Sequence, residues 1–276
     1  MTFTCCSSDS PIFFMTIGII TSDLGMLSLF EVLHHSHHRY IIYYDRNHAF
    51  WSDHSQSLTH SYVQAGIHYL DAMCDHIIIP PIFEMLTTHP KVLPLYRSYI
   101  HNAFQSSKIG KIWRVGDHYE ISQINSLFPQ LATSHQLTEH QSHTKWFHHP
   151  MARWTVHTPL WKYLYETLPH RSRLIHNLIK TDLRKLSDAG VDTVIPLNYA
   201  YLHRSKSIMS YLWSKTQRHG WWSIQHIRNQ MKIATSDHYT VEVHHKGPIH
   251  HLHTGKWLGF LSCGNPENIV WVDLWW

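Results

Sequence analysis

Phe13-Phe14-Met15-Thr16-Ile17-Gly18-Ile19-Ile20, closed at once by Thr21-Ser22-Asp23, is the stretch on which the fold turns. An apolar run this short, rich in Ile and Phe and lacking polar alternation, reads as a strand buried on both faces. Downstream, Gly25 to His35 carries Leu27, Phe30 and Leu33 on one helical face. Tyr40 to Tyr44 is a second apolar strand, broken at Asp45-Arg46-Asn47. From Ser57 to Met73 the spacing of Leu58, Tyr62, Ala65, Tyr69 and Met73 predicts a helix with those residues facing the core. His76-Ile77-Ile78-Ile79 is a third buried strand, stopped by Pro80-Pro81. Strand, helix, strand, helix, strand implies parallel βαβ units with both sheet faces covered.

The same alternation returns further on. Ile109 to Val115 reads as a strand, Leu174 to Ala189 as an amphipathic helix ending at Gly190, and Asp192 to Leu197 as a strand. Ser205 to Gln217 reads as another helix. A late strand is expected at Trp257 to Leu261, then Ser262-Cys263-Gly264-Asn265-Pro266-Glu267 and a final helix. Asp117 to Thr167 has no regular pattern. The expected organisation is a leader at 1–13, a first α/β lobe from 14–98 plus 219–276, and a second from 99–218.

Composition narrows the function classes. The 276 residues carry a net charge of only +4, with no Lys/Arg run, so no nucleic-acid partner is expected. Histidine is abundant, at 29 residues, but no His-Glu-x-x-His motif or spaced Cys/His set gathers it, so no metal is expected. Cys5, Cys6, Cys74 and Cys263 form no CxxC pair. That usage fits reduced thiols in a cytoplasm. The apolar stretch Pro11–Ile20 has no basic residue before it, and no apolar run reaches the roughly 20 residues of a membrane helix, so no membrane partner is expected.

In open parallel sheets the chemistry sits in the loops after the strands. Read there, the chain resembles the glutamate racemases of the aspartate/glutamate racemase family. Ile17-Gly18-Ile19-Ile20-Thr21-Ser22-Asp23-Leu24-Gly25-Met26-Leu27-Ser28 is similar to that family's opening Ile-Gly-Val-Phe-Asp-Ser-Gly motif. Ile41 to Asp45, followed by Phe50-Trp51-Ser52, resembles its next strand and Pro-Tyr-Gly loop. Asp75 to Phe83 stands where the family has a strand ending in Ala-Cys-Asn-Thr. Lys108 to Ile112 resembles the strand opening the second lobe, and Gly190 to Ile195 the strand before Gly-Cys-Thr-His-Tyr-Pro. Gly264-Asn265-Pro266-Glu267 echoes a C-terminal Gly-Asp-Pro-Glu. The resemblance implies two parallel-sheet lobes with a cleft between them and no cofactor.

It also implies a reaction that these residues do not support. Cofactor-free racemization needs one thiolate to remove the α-proton and a thiol to return one on the other face, with donors holding the carboxylate. At the two thiol positions stand Pro81 and Asn198, and Thr21 replaces the assisting aspartate. Ile82 and Phe83 replace Asn-Thr, Tyr199 and Ala200 replace Thr-His, and Phe50-Trp51 replaces Pro-Tyr, while Ser22 and Tyr201 are retained. No catalytic set is intact.

The expected cleft lining is Ser22, Asp23, Trp51, Ser52, Ile82, Phe83, Glu84, Tyr199, Ala200, Tyr201 and His203. Glu84 and His203 are the best acid/base candidates in it, against the plainer reading of solvated or helix-terminal side chains. Three functions follow in order of chemical fit. The first is binding of a small molecule in the cleft or of a protein partner, with oligomerisation compatible. The second is an enzyme of altered chemistry in the same cleft, and the third is residual racemization.

Overall fold

The computed structural model describes residues 15–21, 38–45, 55–84, 87–96, 112–116, 155–157, 173–174, 177–178, 180–181, 184, 193–197, 240–247 and 269–274. Among these residues eight strands form two parallel sheets. β1 (Met15–Thr21), β2 (His38–Asp45), β3 (His76–Ile78), β7 (Thr240–Lys246) and β8 (Ile269–Asp273) make one, in the order β3-β1-β2-β7-β8. β4 (Ile112–Gly116), β5 (Thr155–His157) and β6 (Thr193–Pro196) make the other, in the order β5-β4-β6. Every strand pair is parallel.

The first strands match the sequence pattern because both faces of this sheet are buried, which favours unbroken apolar runs. Ile20, Ile41, Tyr43, Ile77 and Ile79 pack beneath α1 (Gln56–Asp71), while Ile17, Ile19, Tyr40, Ile42 and Tyr44 are fully buried as well. Helix α1 starts at Ser55, whose Oγ accepts from the Leu58 amide at 3.3 Å. Such an N-cap satisfies a backbone donor that no helical carbonyl can reach. At the other end Lys91 Nζ donates to the Asp71 carbonyl, placing a cation at the helix C-terminus, where the dipole favours it.

The buried stripe of α1 is Tyr62, Val63, Gly66, Ile67 and Leu70, and this corrects the expected face. Leu58 is 44% exposed and Ala65 is exposed, so only Tyr62 of that predicted set is buried; Tyr69 and Met73 flank the stripe. The glycine explains the rotation. Gly66 has no side chain to offer a hydropathy pattern, yet it receives Ile20: a Cβ there would lie 2.9 Å from Ile20 Cδ1. In return Leu70 and Cys74 pack over Gly18, where a Cβ would lie 2.9 and 3.0 Å from them. Helix and strand dock through two reciprocal notches.

The outer edge of β3 is covered by residues 91–93, through Ile77 N to Lys91 O at 2.8 Å and Leu93 N to Ile77 O at 3.0 Å. That pairing occupies backbone groups an edge strand would otherwise leave open. Three further differences concern the second half. Residues 269–273, expected to be a final helix, are strand β8: Ile-Val-Trp-Val favours a pleated, half-buried surface, and the segment is too short for a packed helix. β5 lies within the stretch that has no regular pattern, and β7 corresponds to none of the strands expected from the sequence. β7 ends at Gly247, whose φ of 81° is left-handed backbone open to glycine without strain. Of the expected helix at 174–189, residues 174, 177–178, 180–181 and 184 have helical backbone. The expected helices at 25–35 and 205–217, the strand at 257–261 and the leader at 1–13 lie outside the described residues.

Candidate functional site

The chain runs from β1 to β2 on one side and then back across β1 to β3 on the other. The strand order thus changes direction at β1. The carboxyl ends of β1, β2 and β3 therefore flank a topological switch point, the usual place for a ligand in an open parallel sheet. Thr21 ends β1, Asp45 ends β2, and Ile79-Pro80-Pro81 follows β3.

These ends are tightly built. Thr21 is fully buried, and its carbonyl accepts from the Tyr62 hydroxyl at 2.8 Å, so α1 pins the last residue of β1. Asp45 is 2% exposed and stands in register with Lys246 of β7. Pro81 is buried and opens the short helix α2 (Pro81–Glu84). A proline suits a first helical position, because its fixed φ is already helical and its missing N–H is not needed there. The Pro80 carbonyl accepts from the amides of Phe83 and Glu84 at 3.0 and 3.2 Å, closing that turn.

Two expected cleft residues take other roles. Phe83 is 2% exposed and belongs to the core cluster beneath α1, alongside Ile79, Ile20 and Tyr62. Its ring packs inward, which differs from the expected cleft wall. Glu84 is 3% exposed and is not a solvated side chain: its Oε2 accepts from the Tyr96 amide at 2.7 Å. Of Ile82 only the backbone, in α2, is described. Ser22, Asp23, Trp51, Ser52, Asn198, Tyr199, Ala200, Tyr201 and His203 lie outside the described residues. β6 and the buried Leu197 lead directly to the Asn198 position.

Cys74 is the free thiol among the described residues, and it lies at the wrong end of the sheet, just before β3. It is 4% exposed, and burial above all pushes its pKa up to about 12; nearby Arg39 and Lys91 only partly oppose this. A thiol so placed stays protonated near neutrality and cannot serve as a base. Among the described residues no group of three or more His, Cys, Asp or Glu side chains gathers as a metal site, and no helix is long and apolar enough to cross a membrane.

A second polar cluster, absent from the sequence reading, spans β2, β7 and α1. Arg39 donates from Nε and Nη2 to Glu242 Oε1, each at 2.7 Å. Glu242 Oε2 lies 3.3 Å from His244 Nε2, and His244 Nδ1 lies 2.7 Å from the Tyr69 hydroxyl. The Arg39 hydrogen bond, followed by that of His244, holds the Glu242 carboxyl below its ordinary range despite partial burial. Burial, then the neighbouring Tyr43 and Glu242, raises Tyr69; burial and the Asp45 charge push Tyr43 up to about 12. The sequence cue was slight: Val241 and Val243 alternate with Glu242, His244 and Lys246, as in a strand with one polar face.

No family model and no curated protein matches this sequence. Solved structures do match. Glutamate racemase isoform RacE1 from Bacillus anthracis superposes with a TM-score of 0.70 at 14% identity, covering 95% of this chain and 98% of that one. The fold is glutamate racemase-like. Glutamate racemase from Campylobacter jejuni subsp. jejuni gives 0.64 at 14% identity, over 86% of this chain and 95% of the other. That from Francisella tularensis subsp. tularensis SCHU S4, in complex with D-glutamate, gives 0.63 at 12%, over 96% and 98%. At such identities the likeness is one of fold.

Proposed function

We propose that this glutamate racemase-like protein acts by binding, of a small molecule in the cleft beyond the strand ends or of a protein partner, and does not catalyse two-thiol racemization. The observation that carries the reading is Pro81. It occupies the position after β3 where the resemblance calls for the first thiol, and it is buried as the opening residue of α2. Proline has no group that can take or return a proton. Inverting an α-carbon requires a base on each face, because the α-proton is only weakly acidic.

Two further points support it. Cys74 cannot deputise, being buried at the opposite end of the sheet with its pKa up to about 12. Glu84, one of the two acid/base candidates for a reaction of altered chemistry, is engaged with the Tyr96 amide inside the protein. What is retained at these strand ends is packing, in Thr21, Phe83 and Ile79.

The test is α-proton exchange in heavy water. Purified protein incubated with L- or D-glutamate, or with either aspartate, is expected to leave the α-position as protonated as a heat-denatured control does. Deuterium incorporation well above that control would overturn the proposal.

A further inference from the structure

The cluster of Arg39, Glu242, His244 and Tyr69 joins three elements that are far apart in sequence. Arg39 and Glu242 are separated by 203 residues, and Tyr69 and His244 by 175. We propose that this hydrogen-bonded chain is a clasp holding β7 and β8 against the first three strands, and that the two strands open together, ahead of global unfolding, when it breaks. The inference is independent of the ligand-binding reading.

Burial divides the sheet in this way. Ile17, Ile19, Ile20, Ile41, Ile42 and Ile77 are all fully buried. On β8 Val270 is 52% exposed and the Asp273 side chain 42%. On β7 Val241 and Val243 are buried to 0% and 1% exposure, so it is β8 that little apolar area holds, and segments with little buried apolar contact are the ones that open locally. Among the described residues β8 pairs with β7, and β7 pairs inward with β2. Above it α1 lies over β1, β2 and β3, and among the described residues it reaches β7 through the Tyr69–His244 contact.

The clasp also selects the register of β7. Arg39 pairs with Thr240 and Ile41 with Glu242, so the guanidinium reaches two residues along its neighbour. A slip of β7 by two residues would keep Val241 and Val243 on their own face, because side chains alternate with period two. The hydrophobic pattern does not distinguish those registers. The clasp does: a slip that brings Glu242 opposite Arg39 keeps that pair in reach but carries His244 two residues away from Tyr69, and the opposite slip separates both pairs. Release of β7 would uncover its register partners Tyr44 and Asp45, now 0% and 2% exposed, at the end of β2 beside the candidate site.

Native-state hydrogen exchange on the full chain tests this, with Tyr69→Phe and Glu242→Leu as the variants. Tyr69→Phe removes one oxygen and keeps the ring packing against Tyr43. Amides of 241–245 and 270–273 are expected to exchange as one set, faster than those of 17–20 and 77–78. Each substitution should accelerate that set about five-fold or more, as loss of a net hydrogen bond implies, and leave 17–20 and 77–78 unchanged. Acceleration of both sets alike, or no acceleration in either variant, would overturn the clasp. An effect of one variant alone would do the same, because the chain acts only when continuous.

Discussion

Gly66→Ala places a methyl group in the notch that receives Ile20, and it sets two known effects against each other. In the interior of a helix, alanine is favoured over glycine by about 1 kcal/mol. Against that, the new Cβ would stand 2.9 Å from Ile20 Cδ1 and 3.2 Å from both Cγ1 and Cγ2. Because both γ-carbons are equally close, rotating χ1 of Ile20 exchanges one clash for another. Ile20 is fully buried, so its side chain has no solvent to retreat into. The helix must then lift from β1, and overpacking of a filled core costs about 1–3 kcal/mol. The net expectation is destabilisation of about 1–2 kcal/mol, read as a lower denaturant midpoint at unchanged slope. Adding Ile20→Val removes the 2.9 Å contact and should show favourable coupling of about 0.5 kcal/mol or more in a double-mutant cycle. If Gly66→Ala alone stabilised the protein by the helix-propensity increment, the close approach of α1 to β1 would not be what the glycine is for.

Other predictions concern the site and the cluster. Restoring thiols with Pro81→Cys and Asn198→Cys should give no measurable glutamate racemization. On the proposed reading Ile82, Phe83, Tyr199 and Ala200 stand where the resemblance calls for carboxylate donors, and loss of one such donor costs on the order of 100-fold; turnover by the double variant would refute this account. Cys74, with its pKa up to about 12, should resist alkylation at pH 8 in the folded protein and react on unfolding, as peptide mapping would read out. Rapid native labelling would contradict its burial. Glu242 has a lowered folded pKa, so its contribution to stability is present above its ordinary value near 4.5 and is lost as pH falls through the folded value. Glu242→Leu should therefore flatten the loss of stability with acid in that window, and an identical acid limb would count against the pairing with Arg39.

The sequence by itself determined the parallel α/β character, the first three strands and the lack of a thiol at the end of β3. Those features are local: Ile77-Ile78-Ile79 running into Pro80-Pro81 carries its strand, its stop and its lack of a thiol in consecutive residues. Only the tertiary structure decided which face of α1 is buried, because Gly66 contributes to packing by what it lacks. It alone turned Phe83 and Glu84 inward, since each is held by a partner (the core beneath α1, and the Tyr96 amide) that spacing along the chain does not reveal. It alone brought Glu242 and His244 to Arg39 and Tyr69, after a separation of well over a hundred residues. Periodicity reports which side of an element is apolar, but not which distant strand arrives to cover it.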